Sequence, residues 1–180
     1  MGNRLSKIVT RTGDAGETGL ATGDRVPKAG LRVQALGDVD EANCCIGLVL
    51  VQPLPAAIRD ALTQTQHELF DLGGELSLPG MALIKEAHLE RLETELAALN
   101  AELPPLKEFV LPGGNPAAAA AHLARAVTRR AERALWALKA VEPVTDLAPR
   151  YLNRLSDYLF VCARALARAE GNAETSWRRD

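Results

Sequence analysis

From Gln34 to Val51 the chain reads QALGDVDEANCCIGLVLV, and Leu36, Val39, Ala42 and Ile46 recur at the three- and four-residue spacing that lines up one face of a helix. Asp38, Asp40 and Glu41 lie near the start of this segment, where the partial positive charge of a helix dipole favours carboxylates. Over 55–78, Ile58, Leu62, Leu69, Leu72 and Leu76 continue the helical pattern until Leu78-Pro79-Gly80 stops it. Residues 85–102, KEAHLERLETELAALNAE, form a third periodic run, ended by Pro104-Pro105. Asn115 stands where it caps a helix with Pro116 in first position, and an Ala-rich run extends from Ala117 to about Ala140. Its core arc is predicted to carry Leu123, Val127, Ala131, Leu135 and Leu138, with Trp136 as a further packing residue. Asp146 is predicted to cap a last helix in which Leu152, Leu155, Leu159, Cys162 and Leu166 share a face. Five amphipathic helices with short joins predict an all-α fold, an antiparallel five-helix bundle of the four-helix-bundle kind.

Residues 1–33 break the pattern, being rich in Gly, Thr and charge, and read as an extended N-terminal arm. The expected organisation is one domain, with the arm at 1–33, the bundle at 34–171 and a tail at 172–180 that includes Trp177. A chain of 180 residues with 47% hydrophobic content can bury one substantial core, and 4% aromatic content favours helices over sheets. The 21 basic and 23 acidic residues leave a formal charge of -2, so no global field draws nucleic acid or an anionic membrane, and attraction for an anion must be local. Cys44, Cys45 and Cys162 form neither a disulfide framework nor a C-x-x-C pair, which points to reduced thiols and a cytoplasmic setting.

Local charge is concentrated in one place. Arg125, Arg129 and Glu132 follow one another at helical spacing, with Arg130 and Arg133 on the flank, so RAVTRRAER gathers four guanidinium groups within about three turns. Planar guanidinium forks suit phosphate oxygens, and the competing reading is a solvated face of Arg–Glu pairs. Asn153, Asp157 and Arg164 form a second polar stripe opposite the leucines of the last helix. The arm segment TRTGDAGETG has the composition of a phosphate cradle, because glycines let backbone N–H groups converge on an anion and threonine hydroxyls add donors. Lys28 is close enough along the chain to fold back as a phosphate contact. Neither G-x-x-x-x-G-K-[ST] nor G-x-G-x-x-G is present, and His67, His88 and His122 fit no H-E-x-x-H or Glu-x-x-His pattern, so no protein-bound metal site is expected. On these residues alone, a non-catalytic nucleotide-binding protein and a purely structural bundle remain alternatives.

Taken in order along nearly the whole chain, TRTGDAGETGLATGDRVPK, ALGDVDEAN, FVLPGG, RAVTRRAER and RYLNRLSDYLFVCAR resemble the ATP:cob(I)alamin adenosyltransferases of the propanediol-utilisation type. The resemblance implies a homotrimer with ATP at each subunit interface, magnesium on its phosphates and cob(I)alamin as second substrate. It implies ATP contacts from Thr10, Arg11, Thr12, Gly13, Thr18, Gly19 and Lys28, with Asp14 ordering the arm. Arg11 stands where the family commonly has lysine. It also implies a nucleotide site at Arg129, Arg130, Ala131, Glu132 and Arg133, with Asn153 on the adenosine. Arg125 is expected to pair with Asp38 or Asp40 of a neighbouring subunit, and the resemblance does not separate the two. Phe109 is expected beside the corrin ring, displacing its lower axial base, with Val110 and Leu111 as a dry wall. Implied partners are a corrinoid reductase and an enzyme that accepts adenosylcobalamin.

Overall fold

The computed structural model describes residues 8–169 and 173–179, so the first part of the arm, residues 1–7, and positions 170–172 and 180 lie outside the described residues. The arm is more ordered than its composition suggests. Glu17–Gly19 (β1) and Arg25–Pro27 (β2) form an antiparallel ribbon in which Thr18 faces Val26. Gly23, at φ 97°, supplies the left-handed residue that the turn between them needs. The ribbon is moored to the bundle by Leu20, which is buried, and by Ala21 N–H donating to the Ser77 carbonyl at 3.1 Å.

Five helices follow: α1 (Leu31–Leu50), α2 (Ala56–Ser77), α3 (Glu86–Ala101), α4 (Pro116–Lys139) and α5 (Leu147–Arg168). The periodicity located all five, although α1 starts at Leu31 and not at Gln34. Asn115 caps α4 as expected, its Oδ1 accepting from Ala118 N–H at 2.9 Å. Asp146 sits at the start of α5 without capping it, because its carboxylate lies 2.6 Å from Lys139 Nζ and a charged donor outcompetes a neutral amide.

Side-chain pairs give the helix directions. Arg32, near the start of α1, donates to Glu142 just past α4, while Asp38 pairs with Arg130 further in, so α1 and α4 are antiparallel. Glu86 meets Arg150 and Glu93 meets Arg154, so α3 and α5 run the same way. The chain thus alternates direction at each connection, with α4 packed between α1 and α5 and with α3 against α5.

The core takes Val39 and Ile46 from α1, Leu62, Leu69, Leu72 and Leu76 from α2, Leu135 and Leu138 from α4, and Leu152, Leu155, Leu159, Cys162 and Leu166 from α5. Val127 and Ala131 join them, but Leu123 does not: it is 49% exposed, at the edge of the α4 arc beside Arg130. Trp136, expected to pack, is 51% exposed on the polar side of the same helix. One buried polar network fixes α3. Glu68 receives both Arg91 Nε at 2.9 Å and Arg91 Nη2 at 2.6 Å, and Tyr151 Oη donates to it at 2.8 Å. Its carboxylate is therefore fully used, which is what makes its burial tolerable.

Candidate functional site

The arm closes on itself through the Arg25 side chain and the Lys28 main chain. Arg25 Nη2 donates to the carbonyls of Thr12 at 2.6 Å and Glu17 at 3.2 Å, and Lys28 N–H donates to the Gly16 carbonyl at 2.8 Å. Lys28 does fold back: a Cβ on Gly13 would stand 2.9 Å from its Nζ and 3.3 Å from the Glu17 carbonyl, so glycine at 13 is what admits the ammonium. The Thr10 and Thr12 hydroxyls are 2.9 Å apart, and Arg11 between them has φ 59°, a left-handed kink that turns successive peptide groups inward. Thr18 is half-buried in β1 and Gly19 ends that strand. Asp14, expected to order the arm, is exposed and makes no hydrogen bond or ion pair among the described residues; Arg25 provides the ordering.

On α4 the arginines divide. Arg130 is neutralised within its own chain by Asp38, Nε to Oδ1 at 3.1 Å, and by Glu41. Together the two carboxylates hold its guanidinium above the usual range, Glu41 contributing most. Arg129 and Arg133 are exposed and have no ion pair among the described residues. Glu132, which sequence spacing puts among the arginines, instead accepts from Asn153 Nδ2 of α5 at 3.1 Å. Ala131 is fully buried, so its side chain turns away from the polar face. Asp40 is exposed on α1 and, among the described residues, without an ion pair.

Arg125 stands apart. Its Nε is buried with no hydrogen-bond partner, and burial first, then the like charge of Arg129, holds it below the usual arginine range. It lines a cavity of about 520 Å³ together with Leu106, Phe109, Val110, His122 and Phe160. Phe109 is 79% exposed at that cavity, whereas Leu111 lies outside its lining, its N–H held by the Thr175 carbonyl at 2.8 Å. The result is a chamber with an apolar wall of Leu106, Phe109, Val110 and Phe160, edged by Lys107 and Glu108 and carrying the unsatisfied Arg125 guanidinium, on the same helix as the unpaired Arg129 and Arg133. Such a wall can hold a large flat apolar molecule against an anionic one.

A sequence profile described as cobalamin adenosyltransferase matches residues 8–166. The chain belongs to the cobalamin adenosyltransferase family. A cobalamin adenosyltransferase of Cupriavidus metallidurans is 58% identical over 100% of this chain and 98% of its own. A corrinoid adenosyltransferase of Bacillus subtilis is 43% identical over 96% of this chain and 93% of its own. Among solved structures, a variant PduO-type ATP:corrinoid adenosyltransferase from Lactobacillus reuteri complexed with cobalamin and ATP superposes with a TM-score of 0.89 at 32% identity, covering 96% of this chain and 97% of that one. The family's members are enzymes, and the fold matches solved structures of the PduO type.

Sequence reasoning left His122 and Phe160 without a role, yet both line the cavity, with ring centroids 6.2 Å apart in an edge-on arrangement. His122 is 4% exposed and its Nδ1 has no partner; burial, reinforced by Arg125, pushes it below the ordinary histidine range. The available signal was its place one turn before Arg125. The second polar stripe does not exist as such: Asp157 pairs with Arg154, and Arg164 is buried against Glu174 and the Pro104 carbonyl. No helix among the described residues is long and apolar enough to cross a membrane.

Proposed function

We propose that the protein transfers the 5′-deoxyadenosyl group of ATP to the cobalt of a cob(I)alamin-type corrinoid, releasing triphosphate, at sites formed between subunits of a homotrimer. Family membership and the ATP and cobalamin complex of the Lactobacillus reuteri relative support the two substrates. The observation that carries the reading is the position of Arg125, in the wall of the Phe109 cavity and on the same helix face as unpaired Arg129.

The corrinoid occupies the cavity, with Phe109 against its lower face, where the ring excludes water and an axial base from the cobalt. Triphosphate lies against Arg129, Arg130 and Arg133 and is wrapped by the arm through Thr10, Arg11, Thr12, Gly13, Thr18, Gly19 and Lys28. Glu132 and Asn153, bonded to each other, orient the adenosine part. The cobalt(I) electron pair attacks the ribose 5′ carbon as the carbon–oxygen bond breaks, and its electrons leave on triphosphate. Arginine, lysine and backbone donors aimed at that leaving group stabilise the growing charge, and alignment of two large substrates supplies the rest. The Thr10 and Thr12 hydroxyls, 2.9 Å apart, are the side chains that would offer oxygens to a magnesium ion, which would neutralise part of the phosphate charge.

Two features favour assembly between copies. Among the described residues no hydrogen bond or ion pair joins the arm to Arg125, Arg129 or Arg133 of the same chain, so a second copy is the natural source of one half of the site. Leu48 on α1, Val51 just past its end, and Leu123 and Trp136 on α4 also leave apolar area uncovered. Of the two acidic candidates for Arg125, Asp38 is already engaged by Arg130, which favours Asp40. A reductase that supplies cobalt(I) and an acceptor for adenosylcobalamin are the partners this chemistry requires.

The test is incubation with ATP, magnesium and chemically reduced cobalamin, read by the absorbance of adenosylcobalamin. Product is expected from the wild type, and Arg129→Ala should lower turnover by at least about 100-fold with unchanged helical content. Folded wild-type protein that makes no product refutes the activity.

A further inference from the structure

Phe109 has little packing to hold it. Its ring is 79% exposed, and beneath its loop lies a second cavity of about 210 Å³, lined by Pro105, Lys107, Val110, Arg164, Glu174 and Ser176. What fixes the loop is a strap formed by residues 174–177. Val110 and Ser176 form an antiparallel bridge, Trp177 N–H donates to the Phe109 carbonyl at 2.7 Å, and Leu111 N–H donates to the Thr175 carbonyl at 2.8 Å.

The strap in turn is anchored by charge. Arg164 Nε donates to Glu174 Oε1 at 2.6 Å and its Nη2 to Oε2 at 3.3 Å, while Arg168 Nη1 adds a contact to Oε2 at 3.3 Å. The same Arg164 Nη2 reaches the Pro104 carbonyl at 2.8 Å, at the base of the Phe109 loop. Arg164 is 3% exposed and the Glu174 side chain 8%, so this is a desolvated, bidentate pair and not a loose surface contact. One guanidinium therefore ties together α5, the root of the loop and the strap that crosses its tip.

We propose that Glu174 is a positioning residue for the corrinoid half of the site: gripped by Arg164 and Arg168, it holds the 174–177 strap that sets the Phe109 backbone at the cavity mouth. The inference rests on the corrinoid reading of that cavity. The strap is hydrogen-bonded to the Phe109 loop and, among the described residues, makes no hydrogen bond or ion pair with the arm, so its loss should fall on one substrate.

The experiment uses Glu174→Gln and, as a variant that leaves the buried pair intact, Trp177→Pro, which removes the N–H facing the Phe109 carbonyl. Each should raise the KM for cob(I)alamin by about tenfold while the KM for ATP stays within about twofold, as loss of one charge-assisted or strap hydrogen bond acting on one substrate would do. Each should also speed hydrogen exchange at the Leu111 amide. If both KM values rise together, or the cobalamin KM is unchanged while Leu111 exchange accelerates, the positioning role is overturned. Should the wild type make no adenosylated product, the functional reading fails, and the exchange arm still decides the strap: unaltered Leu111 protection in both variants would refute it.

Discussion

Asp38 on α1 and Arg130 on α4 pair within one chain, Nε to Oδ1 at 3.1 Å, while Asp40 projects from the same helix with no ion pair among the described residues. The two neighbouring carboxylates thus differ in their pairing. Asp38→Asn should cost no more than about 1 kcal/mol of stability, since Arg130 is substantially exposed to screening solvent, and should keep most turnover. Asp40→Asn should leave the urea midpoint alone but lower turnover by about tenfold or more and weaken the proposed trimer in sedimentation, if it faces Arg125 of a neighbour. Equal loss of turnover in both variants would remove the distinction.

Gly13 leaves the space in which the Lys28 ammonium lies. Gly13→Val places methyl groups where the Lys28 ammonium lies, with a Cβ 2.9 Å from Nζ. The lysine must move, so the KM for ATP should rise by about tenfold, the loss expected for one misplaced phosphate contact. Titration with a non-hydrolysable ATP analogue, followed by calorimetry, checks this, and undiminished affinity would show that Lys28 does not meet the nucleotide.

The Glu68 network predicts an asymmetry in stability. Tyr151→Phe removes one of the donors to Glu68 and leaves both from Arg91, so it should cost about 1–2 kcal/mol. Arg91→Ala strands the carboxylate, whose side chain is only 2% exposed, and should cost about 3–5 kcal/mol. Urea denaturation of the two variants separates these outcomes.

His122 should make the fold sensitive to mild acid. Its folded pKa is lowered by burial and by Arg125, with Glu174 acting weakly in the opposite sense. The unfolded chain therefore takes up the proton first, so the stabilisation is complete above the ordinary histidine value of about 6.5 and is lost as pH falls below it, levelling off beneath the folded pKa. Denaturation midpoints measured from about pH 7 to pH 5 should fall in the wild type, and this component should vanish in His122→Asn. An identical pH slope in the variant would assign the acid response to other groups.

The helices were legible because Leu152, Leu155, Leu159 and Leu166 repeat at the period of the structure that buries them, and Asn115 announces its cap locally. Arg164 and Glu174 were illegible for the complementary reason. Spacing around α5 puts Arg164 opposite the leucines, and only the arrival of Glu174 and Pro104 from other parts of the chain encloses it. Leu123 failed by a narrow angular margin, since helical position alone does not reveal how far a neighbouring helix wraps. In the site, the motif pieces named candidate residues, but did not reveal that Asp38 would be occupied by Arg130 or that His122 would share a wall with Phe160.

Among the described residues, the β1–β2 ribbon hangs from the bundle by one buried leucine, Leu20, and one main-chain bond, Ala21 to Ser77. Detaching it exposes a single aliphatic side chain, about 2–3 kcal/mol, far below the cost of melting any helix. If the ribbon wraps the nucleotide as proposed, opening can recur every catalytic cycle while the aliphatic interior stays intact, so the pace of substrate entry and the thermal endurance of the molecule can be tuned by separate sets of substitutions.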